Sequence, residues 1–399
     1  MKLHNYSRHR KEAYYMKRAQ IIALLPVLAS FFVMGFCDLV GIASNYMQSD
    51  FSLSETQKNF LPSMVFIWFF VFSVPFGAFM NRVGRKNTVL ISLGFTVLAM
   101  ILPLLDYSYI SCLIAFALLG IGNTILQVSL NPLLMNIMDE NKLASSLTAG
   151  QFIKAISSFA GPIIAVWAAG FLGNWIYMFP VFALITLFVG CWLLFTPIPK
   201  ETTKNTLWSF KPYLILLKDK TILLLFLGIL FIVGVDVGLN VMIPGFLMER
   251  CSMELNEAGY GISLYFVFRT VGAFMGTFIL ARFSSIKFLR ISMIITLCVF
   301  IFMLFVSESQ LLLAIIAIVG FFCANVFSII FSKALQLYPD SANELSGLMI
   351  MGISGGAVVP PLMAAFSQWV GSFNGSLMII GLCITYLLYC SFALKATRK

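Results

Sequence analysis

Long apolar runs, separated by short polar stretches, recur along the whole chain of 399 residues. The runs are too long for strands and lack the ten-residue alternation of a membrane barrel, so they predict helices. A helix that crosses the hydrocarbon of a bilayer needs about 20 apolar residues. The pattern therefore predicts twelve membrane spans, at 20–47, 60–81, 87–105, 109–137, 144–170, 174–196, 221–248, 258–282, 288–306, 310–337, 343–368 and 374–394.

The composition supports a protein that is dissolved in lipid, because 60% of the residues are apolar and 11% are charged. The formal net charge of +10 raises the question of nucleic acid. If the N-terminus is cytoplasmic, 21 Lys and Arg residues fall in cytoplasmic segments, and only Lys58 and Arg250 fall outside. This asymmetry follows the positive-inside rule. It predicts a multi-pass protein of the cell inner membrane with both termini cytoplasmic and with no nucleic-acid partner.

The longest polar stretch between two spans, residues 197–220, divides the chain into two sets of six helices. Gly35 and Asp38 in span 1 resemble Gly234 and Asp236 in span 7, at a comparable depth. Two related halves predict a substrate site between them near the bilayer midplane. The expected organisation is a cytoplasmic tail 1–19, an N-terminal six-helix bundle 20–196, a cytoplasmic linker 197–220, a C-terminal six-helix bundle 221–394 and a tail 395–399.

The loop after span 2, GAFMNRVGRK, resembles the signature loop of the major facilitator superfamily. Its candidate residues are Gly77, Asn81, Arg82, Gly84, Arg85 and Lys86. We expect Gly77 to permit a close approach of two helices and Gly84 to turn the chain. The basic residues should meet helix C-termini and neighbouring carboxylates. Asn81 stands where the family usually has Asp, which weakens a salt-bridge role for this loop. The resemblance implies an all-α integral membrane fold of twelve helices in two six-helix pseudo-repeats.

Five ionisable residues lie inside the predicted spans: Asp38, Lys154, Asp236, Arg269 and Lys333. Each costs about 2.5–3.5 kcal/mol at a helix centre on insertion scales, so we expect them to face a cavity or one another. Pairs of Asp38 with Lys154 and of Asp236 with Arg269 are the purely structural explanation. The five residues together carry one excess positive charge.

Uncharged amides occupy the same spans. Asn123, Gln127 and Asn131 succeed one another at intervals of four and therefore share one face of span 4. Side-chain amides can bind sugar hydroxyls as donor and acceptor at once. The other candidate amides are Gln151, Asn240 and Asn325.

With these residues, the chain resembles the fucose, glucose and galactose proton-symporter branch of the superfamily. The resemblance implies that Asp38 couples proton flow to transport. Gln127 replaces an acid four positions before an Asn-Pro pair that begins at Asn131, and Lys154 replaces an Asn three positions after Gln151. Both departures move the expected site toward positive charge.

The sequence therefore predicts a secondary active transporter that takes up a sugar with protons by alternating access. The alternative within transport is a symporter or exchanger of an acidic sugar or other organic anion. A channel or a membrane protein without a transport role is the alternative of another class. We assign proton coupling to Asp38 and Asp236. The predicted substrate-binding residues are Gln127, Asn131, Gln151, Lys154, Asn240, Arg269 and Lys333.

An enzyme is not expected, because the chain has only two histidines, His4 and His9, both in the N-terminal tail. The eight cysteines are scattered singly, so they predict packing rather than a metal site. A phosphate-binding loop of the Walker type is absent, which makes an ion gradient the expected energy source. We therefore predict no cofactor and no metal. The expected partners are a small-molecule substrate, the proton and the lipid bilayer, and the expected state is a monomer.

Overall fold

The computed structural model describes residues 20–199, 201, 211–253 and 255–394. Within these ranges, twelve helices are long and apolar enough to cross a membrane, which confirms the predicted number of spans. In chain order, spans 1 to 12 are Gln20–Asp50, Met64–Val83, Arg85–Leu105, Tyr109–Ile137, Glu140–Phe171, Trp175–Phe195, Lys220–Cys251, Tyr260–Arg282, Ser285–Met303, Ser309–Leu337, Pro339–Val370 and Asn374–Ala393. The helix that contains span 2 begins at Glu55, and the helix that contains span 8 begins at Leu255.

Large apolar side chains cover the outside of the described helices. Phe195 is 83% exposed, Phe171 82% and Trp369 81%. Polar residues such as Asn131 and Asn325 are only 1% exposed. Since a soluble protein has the opposite distribution, these outward faces are suited to lipid.

Contacts between residues divide the chain into two compact units. Unit 1 comprises Met1–Trp68, Phe79–Leu143 and Ile153–Leu207, and unit 2 comprises Phe69–Ala78, Ala144–Phe152 and Trp208–Lys399. In unit 1, span 3 packs against spans 4 and 6. In unit 2, span 7 packs against spans 8, 11 and 12, and span 10 packs against spans 8 and 9. Short segments of spans 2 and 5 thus belong with the second unit, whereas the predicted halves divide the sequence at the linker.

Glycines at corresponding places allow close helix crossings within each unit. In unit 1, a Cβ atom added to Gly35 would lie 2.6 Å from Cβ of Ser157, where span 1 meets span 5. In unit 2, a Cβ atom added to Gly234 would lie 2.8 Å from Cβ of Val359, where span 7 meets span 11. Only glycine fits at either crossing without displacing the neighbour. The similarity between Gly35 and Gly234 in the sequence therefore reflects equivalent packing.

Several spans are interrupted near their middle. Span 1 contains a 3₁₀ turn at Gly35–Asp38, and span 11 contains one at Gly352–Ser354. Span 10 consists of two helices, Ser309–Cys323 and Val326–Leu337. Short 3₁₀ segments inside long helices are typical of functional hinges. Asp38, a predicted proton-coupling residue, is the last residue of the first of these turns.

The segment 197–220, predicted as a polar linker, contains a short helix at Lys211–Lys218. This linker helix is separated from span 7 only by Asp219. The Asp219 carboxylate caps span 7, because its Oδ1 accepts hydrogen bonds from the backbone N–H groups of Thr221 at 2.7 Å and Ile222 at 3.3 Å. The Tyr338 hydroxyl donates to the other oxygen at 2.6 Å, and this hydrogen bond lowers the pKa of Asp219.

Candidate functional site

The predicted site residues form two groups, one on spans 1, 4 and 5 and one on spans 7 and 8. The first group is centred on the 3₁₀ turn of span 1. Oδ2 of Asp38 accepts a hydrogen bond of 2.5 Å from the Ser158 hydroxyl. The same hydroxyl lies 3.1 Å from the backbone carbonyl of Lys154. Asp38 and Lys154 therefore lie on two helices that touch at this point.

Gly35 makes this contact possible. A Cβ atom there would lie 2.7 Å from the carbonyl oxygen of Lys154, so a larger residue would separate the helices. Asp38 is exposed, and Lys154 is half-buried. Ser158 was not predicted as part of the site. Its position four residues after Lys154, on the same helical face, is the one signal that could have found it.

The amides of span 4 lie on one buried face, as their spacing predicts. Asn123, Gln127 and Asn131 are 2%, 5% and 1% exposed. The Gln127 amide donates to Oδ1 of Asn123 at 3.2 Å, and the Asn131 amide donates to the carbonyl of Gln127 at 2.9 Å. Oδ1 of Asn131 is buried without a hydrogen-bond partner.

Asn123 joins this polar face to the break in span 1. Its amide donates to the carbonyl oxygen of Met34 at 3.0 Å, directly before the 3₁₀ turn. A regular α-helix would use that carbonyl for the residue four positions later, which is Asp38. The side chain of Asn123 thus satisfies a backbone group near the turn that carries Asp38.

Gln151 lies three residues before Lys154 on span 5 and is half-buried. It falls in the segment Ala144–Phe152, which belongs to unit 2, whereas Lys154 belongs to unit 1. The structure therefore assigns these two predicted substrate-binding residues to different compact units.

The second group is centred on Asp236 of span 7. A guanidinium nitrogen of Arg269 lies 2.5 Å from Oδ2 of Asp236, which confirms the predicted pair. The hydroxyl of Tyr265 donates to Oδ1 of the same carboxylate at 2.6 Å. Tyr265 is fully buried and lies four residues before Arg269, on the same face of span 8. Nε of Arg269 is buried without a hydrogen-bond partner.

The remaining candidates of the second half are less closely grouped. Asn240 lies one helical turn after Asp236 and is half-buried. Asn325 has a structural role, since its amide donates to the carbonyl of Gly272 at 3.0 Å. Lys333 lies four residues before the end of span 10 at Leu337, the same end that the sequence predicted.

The signature loop fixes the ends of several helices in unit 1. Gly84 has a φ of 86°, which confirms its predicted role as the turn. The Lys86 ammonium donates to the carbonyls of Leu194 at 2.9 Å and Thr196 at 2.8 Å, at the C-terminus of span 6. Asn81 and Arg82 lie in the last turn of the helix that precedes Gly84.

Arg85 connects the loop to span 4 and to the start of the linker. Its guanidinium donates to the carbonyl of Pro132 at 3.0 Å and to the side chain of Asn136. Its backbone N–H donates to the carboxylate of Glu201, which also accepts a hydrogen bond of 2.8 Å from Asn136. A carboxylate, Glu201, thus meets the loop at the backbone N–H of Arg85, and sequence spacing did not indicate it because it lies 116 positions away.

In unit 2, Gly77 permits the predicted close approach. A Cβ atom there would lie 2.9 Å from the carbonyl oxygen of Asn343 and 3.2 Å from Cα of Gly347, both in span 11.

Among the described residues, no cluster of three or more His, Cys, Asp or Glu side chains could hold a metal ion.

The twelve spans, the glycine crossings and the signature loop define a membrane transporter of a large superfamily. The family model of the Major Facilitator Superfamily matches residues 27–361, so the chain belongs to this superfamily. Its known members are transporters rather than enzymes.

Individual proteins resemble the chain over most of its length. A glucose/galactose transporter of Brucella abortus biovar 1 (strain 9-941) is 23% identical, with 92% of each chain covered. The crystal structure of a variant of the Escherichia coli fucose:proton symporter FucP matches with a TM-score of 0.82 and 16% identity, over 94% of this chain and all of that one. A structure of FucP in the outward conformation matches with a TM-score of 0.84 and 18% identity, over the same shares. These structural matches establish the fold alone.

Proposed function

We propose that the chain takes up a sugar together with protons across the cell inner membrane by alternating access. The family supplies the transport role, and the relatives named as glucose/galactose transporters favour a sugar. The observation that carries the proposal is the position of Asp38. It is an exposed carboxylate at a hinge-like turn of span 1, beside the span that carries Lys154.

Asp38 is the proposed proton carrier. A carboxylate on a membrane helix is costly, so its protonation removes the charge that opposes movement of the site. The Ser158 hydroxyl donates to the ionised form, and it can turn toward the Lys154 carbonyl when Asp38 is protonated. Substrate that binds the Lys154 ammonium draws its positive charge away from Asp38. Substrate binding then favours proton uptake, which couples the two events.

Asp236 is the second proposed proton site. It already accepts hydrogen bonds from both Arg269 and Tyr265. Because one of these donors is a cation, the hydrogen bonds of Asp236 are stronger than those that neutral groups donate to Asp38.

Amide and cationic side chains form the proposed substrate contacts. Asn131 and Arg269 each have a buried polar atom without a partner, and sugar hydroxyls can satisfy both donors and acceptors. The proposed contacts also include Gln127, Gln151, Lys154, Asn240 and Lys333. Lys154 favours a second candidate substrate, an acidic sugar or other organic anion, because the substrate would then supply a charge that compensates the lysine.

Uptake by Asp38→Asn in energised membrane vesicles tests the proposal. Asparagine resembles the protonated acid but cannot exchange a proton. We expect no accumulation driven by a pH gradient, whereas exchange with substrate already loaded into the vesicles persists. The matched control is Asp106→Asn, which changes an exposed carboxylate in a loop and should accumulate substrate normally.

Full pH-driven accumulation by Asp38→Asn would exclude Asp38 as the coupling residue. Accumulation that follows a sodium gradient at fixed pH would contradict the proton as the coupling ion. Uptake of neither neutral nor acidic sugars by the parent protein would contradict the substrate class.

A further inference from the structure

The linker helix Lys211–Lys218 has one buried face and one exposed face. Tyr213 is 4% exposed, whereas Leu214 is 62% and Ile215 is 56% exposed. Lys211 and Lys218 are exposed as well. These four exposed residues follow the spacing i, i+3, i+4, i+7 and therefore share one face of the helix. That face has two aliphatic residues in its middle and a lysine at each end.

The buried face joins spans 2 and 11 within unit 2. The Tyr213 hydroxyl donates to the carbonyl of Val74 in span 2 at 3.0 Å. It also lies 2.8 Å from the position that a Cβ atom on Gly77 would occupy. Gly77 is the residue at which span 2 approaches Gly347 of span 11. Tyr213 therefore supports this crossing from the side of the linker.

Burial raises the pKa of the Tyr213 hydroxyl, and the charge of Glu344 adds to the effect. The hydroxyl consequently stays protonated and remains a donor at every physiological pH. The hydrogen bond to Val74 is thus a constant part of the contact, and it breaks only if span 2 or the linker helix moves.

The exposed face lies close to the membrane surface. Only Asp219 separates the linker helix from Lys220, the first residue of span 7. Aliphatic side chains exposed to water are unfavourable, whereas the boundary of headgroups and acyl chains accommodates them. Lysines at both ends can keep their charge among the headgroups while their stems cover apolar surface. The positive charges match a leaflet that contains anionic lipid.

We propose that the exposed face of the linker helix binds anionic phospholipid of the cytoplasmic leaflet, and that the bound lipid stabilises the contact between spans 2 and 11. The helix is thereby fixed on one face to lipid and on the other, through Tyr213, to the span crossing. The inference rests on the proposed cytoplasmic position of the linker. It does not depend on the identity of the sugar or of the coupling ion.

Cysteine accessibility tests this proposal without any substrate. The full chain, with its eight native cysteines replaced, carries Ser346→Cys, since Ser346 is fully buried next to Gly347. The protein is placed in nanodiscs of phosphatidylcholine alone or of phosphatidylcholine with phosphatidylglycerol, and the rate of alkylation is measured. We expect phosphatidylglycerol to slow alkylation by at least about fivefold, which corresponds to the contribution of about 1 kcal/mol from one of the two lysines at an anionic surface.

The double variant Lys211→Gln with Lys218→Gln should lose this lipid effect. Lys142→Gln with Lys287→Gln is the matched control, because it removes the same charge from two exposed lysines elsewhere on the proposed cytoplasmic side. The control should keep the effect. Leu214→Gln with Ile215→Gln should weaken it while leaving both lysines in place. Tyr213→Phe retains the ring but removes the donor, so alkylation should be faster in both lipids.

Three results would overturn the proposal. The first is an equal rate of alkylation of the parent in the two lipids, which would indicate that the exposed face binds a protein partner instead of lipid. The second is a full lipid effect in the Lys211→Gln, Lys218→Gln variant. The third is an equal loss of the effect in the control, since any reduction of positive charge would then suffice.

Discussion

At the scale of single residues, the two membrane-embedded carboxylates differ in the kind of group that donates hydrogen bonds to them. Asp236 accepts hydrogen bonds from Arg269 and Tyr265, both on span 8. Asp38 accepts hydrogen bonds from the Ser158 hydroxyl and the Cys37 thiol and is exposed. A hydrogen bond from a charged guanidinium is stronger than one from a neutral hydroxyl or thiol. Asp38 is therefore held less firmly by its neighbours than Asp236.

Lys154 is expected to set the preferred charge of the substrate. Lys154→Asn removes a cation from the helix that touches the turn of Asp38. Preference should move from acidic toward neutral sugars, with a change in relative affinity of about tenfold, the equivalent of about 1.4 kcal/mol. Competition between a neutral sugar and its uronate for uptake measures this shift.

The control for this variant is Lys142→Asn, because Lys142 is an exposed residue that pairs with Asp139 three positions away. Its preference should match that of the parent, since exposed pairs contribute little. An unchanged preference in Lys154→Asn would reduce Lys154 to a structural partner of an acid.

The sequence identified the charged members of both groups but not their neutral partners. A charge on a membrane helix is costly and therefore conspicuous, which is why Asp38, Lys154, Asp236 and Arg269 could be selected. Ser158 and Tyr265 are residue types that also occur widely in packing positions. Their roles depend on which helix lies opposite, and hydropathy does not supply that information.

At the scale of whole helices, glycine crossings determine how closely neighbours pack. Gly320 of span 10 faces the backbone of span 8, and an added Cβ atom would lie 2.5 Å from the carbonyl oxygen of Tyr265. Gly320→Ala should lower stability, because overpacking costs about 1–3 kcal/mol. The helical preference for alanine, about 1 kcal/mol, offsets only part of this cost. Thermal denaturation of the purified protein in detergent measures the effect.

Gly94 of span 3 is the matched control, since no atom lies within 4 Å of its added Cβ. Gly94→Ala should keep or raise the midpoint temperature. If Gly320→Ala were as stable as Gly94→Ala, the crossing of spans 8 and 10 would have to be looser than described.

The sequence predicted where the helices lie far better than where they are interrupted. Each run of about 20 apolar residues has to cross the bilayer, so length alone predicted the spans. The 3₁₀ turn at Gly35–Asp38 interrupts an apolar run without changing its hydropathy. The linker helix was not predicted, because its eight residues, which begin and end with lysine and include Pro212, give too short a pattern to distinguish from a loop.

At the scale of the whole molecule, the signature loop and the similarity between the two halves were sufficient to predict the superfamily. Gly77 and Gly84 have the packing and turn roles that the loop implied. The compact units do not follow the sequence halves, because segments of spans 2 and 5 pack with the second half. Such contacts join residues more than a hundred positions apart, and a pattern read along the chain cannot reveal them.

Both termini and the linker are expected to face the cytoplasm. The basis is the distribution of 21 Lys and Arg residues against Lys58 and Arg250 across the membrane. A cysteine introduced by Asn205→Cys, at a position outside the described residues, should resist an impermeant thiol reagent in intact cells. A cysteine introduced by Ser307→Cys, at an exposed position between spans 9 and 10, should react. The native cysteines must be replaced first, since the thiol of Cys251 lies 3.3 Å from the Ser307 carbonyl. Reaction at position 205 with protection at position 307 would invert the topology, and it would also place the linker helix against the outer leaflet.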